Sequence, residues 1–425
     1  MDAVTQIELT QEERALAAGE QGPAAELAMS ILLRMAAIQG AERLLPIEGA
    51  HIDSTLYMGQ ATLEFAERLA QLGAQVSVPT TLNVSGVDVA GWQEWAVPAE
   101  WAEKARRQMV AYQSMGAEPT WTCAPYQTEF KPEFGQQIAW GESNAIVFAN
   151  SVIGARTERY PDLLDICAAI CGRVPAVGLH LDENRRGQLL IELVDIPLPL
   201  QSSDAFYPVL GHLMGELAGD RVPVLVGLEV QPTEDQLKAL GAAAASSGRV
   251  ALFHWVGVTP EAPDLEAAFG GGAPELTEQV NLSRLRQARE ELTTHDGVKL
   301  DMVVLGSPHF SIHEFAQLAP LLEGKVRHPE VEFLVTSSRA MASLAEQAGL
   351  LQALRDFGGK VTLDTCILTT PMLPEEISNL MTNSAKYAYY APGLLGTQVV
   401  FGGLEDCVRS AVKGRVLRDD SLWRG

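Results

Sequence analysis

The sequence predicts an α/β protein in which parallel sheets are flanked by helices. In the second half of the chain, short apolar runs that are typical of strands alternate with helical patterns, and this alternation is characteristic of parallel sheets. The chain has 425 residues, which is too long for one simple core. We therefore expect two or three packed units.

The first half of the chain reads mainly as helices. Apolar residues at helical spacing predict helices over 24–41, 61–72, 101–115 and 162–170, and another helix beginning within 134–140. Residues 75–78 read as a strand that runs into polar residues up to Asn83. Residues 48–53 are polar and contain glycine, so we expect a loop there.

The second half is expected to contain most of the strands. The predicted strands are 222–227, 250–254, 300–305, 331–336, 361–364 and 398–401. A proline- and serine-rich stretch at 196–203 suggests a domain boundary, and the glycine-rich 270–274 suggests a flexible loop. We divide the chain into a helical lead (1–44), a first α/β domain with the Cys123 loop (45–200), a second (201–300), and a third with Ser307, Cys366 and Lys386 (301–425).

Charge and cysteine usage narrow the function classes. The net charge of −23 argues against a nucleic-acid partner, because phosphates require a basic surface. Five cysteines, an odd number, suit a reducing cytoplasm better than a disulfide framework. The N-terminus lacks the pattern of a signal peptide, and the longest apolar stretches are too short to span a membrane. The sequence thus predicts a cytoplasmic protein without a membrane partner.

Three short segments carry most of the chemical information. They are Thr-Trp-Thr-Cys123-Ala-Pro-Tyr, Gly-Ser307-Pro-His and Leu-Asp-Thr-Cys366. Ser307 and Cys366 each follow a predicted strand, and chemistry in open parallel sheets collects at the carboxyl ends of strands. We therefore expect one assembled site that holds iron and sulfur. A nucleotide site is disfavoured because the glycine-rich dinucleotide and P-loop motifs are absent from the sequence.

The other cysteines have a simpler interpretation. Cys167 and Cys171 are four residues apart in a predicted helix and would share one face. Core packing is favoured over metal binding for this pair and for Cys407, since cysteine is often buried and no ligand partner is near in sequence. Cys123 and Cys366 differ because each is expected at the end of an element, where a thiolate can receive hydrogen bonds.

Polar groups near these segments leave alternatives open. His309 and Arg339 follow small hydroxyl residues after predicted strands, which could hold a carboxylate or only cap helices. His309 and His313 are four residues apart and suit surface pairing as well as metal binding. Lys386 lies among aromatic and small residues, so a buried ammonium there would need an anionic partner. A substrate carboxylate and a structural salt bridge are both suitable.

Seven segments, taken in order, resemble the aconitase X family, the divergent branch of the aconitase superfamily. They are residues 51–53, 78–83, 120–126, 142–151, 306–309, 364–366 and 381–386. The resemblance implies an aconitase-like multidomain architecture, with parallel sheets flanked by helices. No segment of this sequence resembles the small swivelling domain of aconitases. The resemblance therefore implies a large catalytic subunit whose site is completed by a separate small subunit.

The resemblance also implies a cofactor and a reaction. It implies a lyase that removes water from a small hydroxy acid, with an iron–sulfur cluster of two or more irons as Lewis acid. Cluster ligands in this family match Cys123 and Cys366, and a third cysteine lies in a Gly-Cys-Pro-His turn. Here that turn carries Ser307, a harder and weaker ligand for iron. A smaller cluster, an oxygen ligand or loss of the cluster all remain open.

Substrate contacts are implied at positions that match this family. They are Thr62, Leu63, Glu64, Asn83, Val84, Glu142, Ser143 and Lys386. The catalytic residues would be Lys386, Glu142 and Ser143, with Lys386 holding the substrate carboxylate.

Family members dehydrate cis-3-hydroxy-L-proline or phosphorylated mevalonate. The acidic chain favours the zwitterionic proline compound over a phosphate. The alternatives are a phosphomevalonate dehydratase large subunit, a metal-free binding or regulatory relative, and a cluster-free enzyme that uses Lys386 and Glu142 as acid and base.

Overall fold

The computed structural model describes residues 7–128, 130–294 and 297–424. Its helices are α1 (Gln11–Ala17), α2 (Pro23–Ile38), α3 (Gln60–Gln71), α4 (Ala99–Ser114), α5 (Ser143–Phe148), α6 (Leu164–Cys171), α7 (Leu198–Gln201), α8 (Phe206–Ala218), α9 (Glu234–Ser247), α10 (Leu265–Ala268), α11 (Leu282–Glu291), α12 (Ile312–Leu322), α13 (Arg339–Gln347), α14 (Leu350–Phe357), α15 (Ala385–Leu395) and α16 (Leu404–Lys413). Its strands are β1 (Leu44–Pro46), β2 (Ala50–Ile52), β3 (Thr80–Leu82), β4 (Ala139–Trp140), β5 (Arg173–Pro175), β6 (Leu189–Leu193), β7 (Pro223–Val226), β8 (His254–Trp255), β9 (Leu276–Val280), β10 (Met302–Phe310), β11 (Glu332–Ser337), β12 (Lys360–Leu363), β13 (Asn379–Thr382) and β14 (Gln398–Phe401).

Three parallel sheets organise the described chain, which confirms the predicted fold class. In chain order, the first sheet region has the strand order β3-β2-β4, the second β8-β7-β6-β9 and the third β12-β11-β10-β13-β14. A short antiparallel pair, β1 with β5, lies outside them. Within the described residues, no helix is long and apolar enough to cross a membrane.

The largest sheet is covered by helices on both faces. In β10, Met302 and Val304 belong to the main core, which includes residues of α15, whereas Val303 and Leu305 pack with residues of α12, α14 and α16. Successive side chains of a strand point to opposite faces, so an unbroken apolar run can fill two cores at once. This explains why four of its five strands were predicted from apolar runs; β13 was not predicted.

The N-terminal helices α1 and α2 pack beside the first sheet region, which α2 reaches through α6. α2 begins with Pro23 at its first position, where proline loses no helical hydrogen bond. Its buried face includes Met29 and Leu32, and the helix packs against α6 and β5.

Four predicted elements are wrong. Residues 48–53 contain strand β2, whose three buried residues are too few to show a periodic pattern. Residues 75–78 are not a strand, because the backbone N–H of Val76 donates to Met115, just after α4, and that of Ser77 donates to Ala169 within α6.

The other two errors concern the segments before β4 and β8. No helix begins within 134–140, since Gly135 turns the chain with a φ of +80° and Ile138 then bonds to Arg156 in an extended conformation. In 250–254 the strand starts only at His254, because the N–H of Phe253 donates to the Ser151 hydroxyl instead of a neighbouring strand.

Candidate active site

The three segments singled out in the sequence meet at one cavity of about 230 Å³. It lies beyond the carboxyl ends of β2 and β12, beside the irregular end of β10, as expected for parallel sheets. Its lining comprises Asp53, Leu56, Asn83, Val84, Cys123, Glu142, Gly306, Ser307, His309, Thr336, Thr365, Cys366, Ile367, Leu368, Thr369, Lys386, Tyr390 and Leu394. Residues from three distant parts of the chain therefore form a single site.

Ser307 enters the cavity because β10 is interrupted. The pairing of β10 with β11 changes register between Leu305 and Phe310, and the peptide between Ser307 and Pro308 is cis. Gly306 has a φ of +94°, and a Cβ there would lie 2.2 Å from the backbone oxygen of Thr336. Only glycine fits this close approach.

Cys123 lies in the connection between α4 and α5. The backbone N–H of His309 donates to its Sγ at 3.3 Å, and the Asn144 amide donates to its carbonyl at 2.9 Å. Burial raises the pKa of the Cys123 thiol to about 12. The charge of Lys386 and the His309 N–H act in the opposite direction, so the site contains groups that would stabilise a thiolate.

Cys366 follows β12 in a segment attached to the first sheet region. The N–H of Ser85 donates to the Asp364 carbonyl at 2.7 Å, and the Thr365 hydroxyl donates to the Ser85 carbonyl at 3.1 Å. Burial raises the pKa of the Cys366 thiol, while the Leu368 N–H and the charge of Lys386 lower it. Both cavity thiols therefore share one nearby positive charge.

Lys386 and Glu142 form a buried ion pair across the cavity. Lys386 lies in the first turn of α15, and its Nζ is 2.6 Å from Oε1 of Glu142. Glu142 caps α5, where its Oε2 accepts the N–H of Ala145 at 2.9 Å. Burial alone would lower the pKa of Lys386, but the charges of Glu142, Cys123 and Cys366 outweigh it and raise that pKa. The structure thus gives Lys386 the salt bridge that the sequence left as one alternative.

His309 connects the three candidate ligand segments. It is buried, its Nδ1 lies 3.3 Å from the Thr122 hydroxyl, and its Nε2 lies 3.1 Å from the Thr365 carbonyl. Since a carbonyl only accepts, Nε2 carries the proton. Burial lowers the pKa of His309 to about 4, so the ring is neutral at neutral pH. His313 is exposed, and the two histidines do not form a pair.

Arg339 is outside the cavity lining. Its guanidinium pairs with Asp364, and the Ser338 hydroxyl caps α13 by accepting the N–H of Met341 at 3.1 Å. Ser338 therefore serves as a helix cap, and Arg339 serves as the ion-pair partner of Asp364.

Asp53 is a cavity residue to which the sequence analysis assigned no role. The Asn83 amide donates to its carboxylate, and its own N–H donates to Asp165 at 2.6 Å. Burial, followed by the nearby charges of Glu142 and Asp165, raises the pKa of Asp53 to about 7. Its position directly after the buried strand β2 could have indicated a site residue. The sequence predicted a loop at 48–53 instead, so Asp53 was missed.

Four residues predicted to contact substrate are not among the cavity-lining residues. On α3, Thr62 bonds to Gln108 at 3.0 Å, Leu63 is fully buried, and Glu64 accepts from Gln60. Ser143 donates to Glu142 at 3.3 Å, so it adjoins the site through that carboxylate.

The cysteines outside the cavity lie in helices. Cys167, Cys171 and Cys407 are buried free thiols within hydrophobic clusters.

Comparison with known proteins identifies the family. Models of the aconitase X first, second and third domains match residues 6–183, 187–290 and 300–413. A cis-3-hydroxy-L-proline dehydratase of Pseudomonas aeruginosa is 53% identical over 95% of this chain and 70% of that protein. Its namesake from Hypocrea jecorina is 45% identical over 96% of this chain and 69% of that protein.

More distant relatives carry another name, and one solved structure is closely similar. A phosphomevalonate dehydratase large subunit of Methanothermobacter thermautotrophicus is 38% identical over 96% of this chain and all of that protein. The crystal structure of holo-form aconitase X from Thermococcus kodakaraensis has a TM-score of 0.85 and 35% identity, covering 95% of this chain and all of that chain. Because the three domain models and these relatives together cover nearly its whole length, the chain belongs to the aconitase X family.

Proposed function

We propose that this chain is the large catalytic subunit of an iron–sulfur-dependent dehydratase that converts cis-3-hydroxy-L-proline to a cyclic imine. The observation that carries the proposal is the convergence of Cys123, Ser307 and Cys366 on the cavity that holds the Lys386–Glu142 pair. The names of the relatives that are 53% and 45% identical favour this substrate. A small subunit is proposed because the chain also matches the whole of a relative named as a large subunit.

The donor set fits an iron–sulfur cluster. Cys123 and Cys366 offer two thiolates, and Ser307 offers a hydroxyl oxygen as third ligand. The N–H groups of His309 and Leu368 lie near the two sulfurs, and such hydrogen bonds are a means of tuning clusters. When bound, the cluster would supply Lewis acidity to the departing hydroxyl.

The chain's own residues would bind the substrate and move its proton. Lys386 would exchange part of its pairing with Glu142 for the substrate carboxylate. Breaking the Cα–H and C3–O bonds releases water and gives a cyclic enamine that tautomerises to the imine. One group must therefore accept the Cα proton, and a proton must reach the departing hydroxyl. Asp53, with a pKa of about 7, is suited to exchange protons near neutral pH. Glu142 is the second acid–base candidate, and Ser143 would orient it.

Two features of the cavity favour a zwitterion over a phosphate. Among its described lining residues the basic side chains are Lys386, already paired with Glu142, and the neutral His309. A phosphate would need more positive charge. The cavity also contains the Asp53 carboxylate, which accepts a hydrogen bond from the Asn83 amide. Acidic groups such as Asp53 and Glu142 would attract the ammonium of a prolyl zwitterion and repel a phosphate.

The proposal is tested with protein purified anaerobically together with its small subunit. Iron content and the visible spectrum are measured first, and then turnover of cis-3-hydroxy-L-proline and of 5-phosphomevalonate is compared. We expect bound iron and formation of the imine from the proline compound only. Cys366→Ala should lose both iron and activity. Cys407→Ala is the matched control, because this buried thiol packs in a hydrophobic cluster, and it should keep both.

Each alternative gives a different result. Turnover of phosphomevalonate alone would replace the proposed substrate. Full activity of Cys366→Ala would exclude a role for the cluster and favour acid–base chemistry by Lys386 and Glu142. Iron-free protein that turns over neither compound would indicate a binding or regulatory relative.

A further inference from the structure

A second group of potential metal ligands lies on helices α8 and α11, outside the cavity lining. His212 and Glu216 are one helical turn apart on α8, and Glu291 is the last residue of α11. One nitrogen or oxygen atom from each of the three side chains lies within 4.8 Å of those from the other two. Three donors from two helices therefore surround one small volume.

The histidine is the informative member of this group. The His212 side chain is only 5% exposed, and its Nε2 has no hydrogen-bond partner in the described structure. That nitrogen lies 3.7 Å from a carboxylate oxygen of Glu216 and 3.7 Å from one of Glu291, which is too far for a hydrogen bond. Burying a ring nitrogen without a hydrogen-bond partner costs free energy. Its position between two carboxylates therefore indicates that a ligand binds there.

The two carboxylates need a cation as well. Gln287 donates to Oε1 of Glu291 at 2.9 Å, which leaves Oε2 facing His212. Among the ion pairs of the described residues, Glu216 and Glu291 contact only His212, and neither pairs with a lysine or arginine. Two carboxylates this close repel each other, and a divalent ion would remove that repulsion.

We propose that His212, Glu216 and Glu291 bind a divalent transition-metal ion of the zinc class. One imidazole and two carboxylates suit zinc better than magnesium, which prefers oxygen ligands alone. Donors at about 2.0–2.1 Å from a tetrahedral zinc ion stand roughly 3.4 Å apart. The observed 3.7 Å separations require only small side-chain movements to reach this arrangement.

The ion would join α11 to α8 beside the helix that carries Lys386. The rings of His212 and Tyr389 are 6.1 Å apart between centroids, and Tyr389 lies on α15 three residues after Lys386. The proposed site is therefore structural: it fixes the helices that support α15.

The test is a titration of metal-free protein with Zn²⁺. Wild type is compared with Glu216→Gln and Glu291→Gln, which change exposed ends of side chains that are 44% and 39% exposed and so preserve the fold. Glu290→Gln is the matched control on α11, because Glu290 pairs with Arg418. We expect both cluster variants to lose one bound equivalent and the zinc-dependent rise in unfolding temperature. Glu290→Gln should retain both.

Zinc bound by the cavity cysteines does not confuse this comparison, since it is common to all four proteins. Titration with Co²⁺ provides a second readout, because thiolate ligands give intense charge-transfer bands that imidazole and carboxylate ligands lack. Equal zinc stoichiometry in wild type and both cluster variants would overturn the proposal. It would mean that a proton shared by His212 and the two glutamates occupies the place of the ion.

Discussion

At the scale of single residues, burial decides which groups can exchange protons. Asp53 has an ordinary pKa of 3.8 that the fold raises to about 7. Between these values the folded protein binds more protons at Asp53 than the unfolded chain does, so this group's contribution to stability is lost as pH rises. Below about pH 4 the contribution is fully present.

We therefore expect Asp53→Asn to become more stable relative to wild type as pH rises from about 4 to 7. The asparagine cannot ionise, so its stability should depend less on pH over this range. Urea unfolding of both proteins at several pH values measures the difference. Parallel pH profiles would show that Asp53 ionises in the folded protein near its ordinary pKa.

At the scale of elements, the irregular end of β10 depends on one glycine. In Gly306→Ala, the added methyl group would lie 2.2 Å from the Thr336 backbone oxygen, and the alanine would have to adopt a φ of +94°. We expect a loss of stability on the order of 3 kcal/mol and a loss of bound iron, because Ser307 would be displaced.

Gly324→Ala is the matched control for this substitution. Gly324 also has a positive φ, +67°, but a Cβ there meets nothing within 4 Å. It should cost roughly 1–2 kcal/mol from backbone strain alone and should leave iron content unchanged. If the two variants are equally stable and both retain iron, the close packing of Gly306 does not position Ser307.

Helix α9 is joined to β10 and α12 by a buried lysine. Lys238 pairs with Asp235 at 2.9 Å and with Glu314, and it donates to the His309 carbonyl at 3.4 Å. Lys238→Met would leave these carboxylates unpaired, so we expect a cost of about 3–5 kcal/mol in denaturant unfolding.

The exposed Lys131–Glu234 pair, at 2.9 Å, provides the comparison. Lys131→Met should cost less than about 1 kcal/mol, since water screens an exposed pair. A similar small cost for Lys238→Met would mean that the buried pairs contribute little beyond their desolvation.

At the scale of the whole molecule, the site exists only where the first and third sheet regions meet. Asp88 shows the contact: its Oδ1 accepts the local N–H groups of Ala90 and Gly91, and its Oδ2 accepts the N–H of Leu363 at 3.0 Å and the Thr362 hydroxyl at 3.3 Å. Leu363 ends β12, three residues before Cys366.

Asp88→Asn can keep the local turn but cannot accept all of these donors. We expect a loss on the order of 2 kcal/mol and weaker iron retention, read by denaturant unfolding and by iron content after dialysis. Asp264→Asn is the control, because Asp264 only caps α10 and asparagine caps equally well. If Asp88→Asn retains as much iron as Asp264→Asn, the Asp88 contact does not stabilise the cavity.

The longer periodic elements and several cavity residues could be predicted from the sequence. Apolar runs predicted most strands of the β10 sheet, and the cysteine, serine and lysine segments indicated the residues that line the cavity. The domain boundaries stay predictions. Short elements such as β2 were not predicted, because three residues are too few to show a periodic pattern.

Which groups meet in the folded protein could not be predicted from the sequence. Lys386 and Glu142 are 244 residues apart, and His309 connects Thr122 to Thr365. Asp53 acquires its raised pKa, and the His212 group its arrangement, from burial and from neighbours on other elements. Local periodicity reports which face of an element is buried, but contacts and pKa values depend on what lies opposite that face, which only the assembled fold supplies.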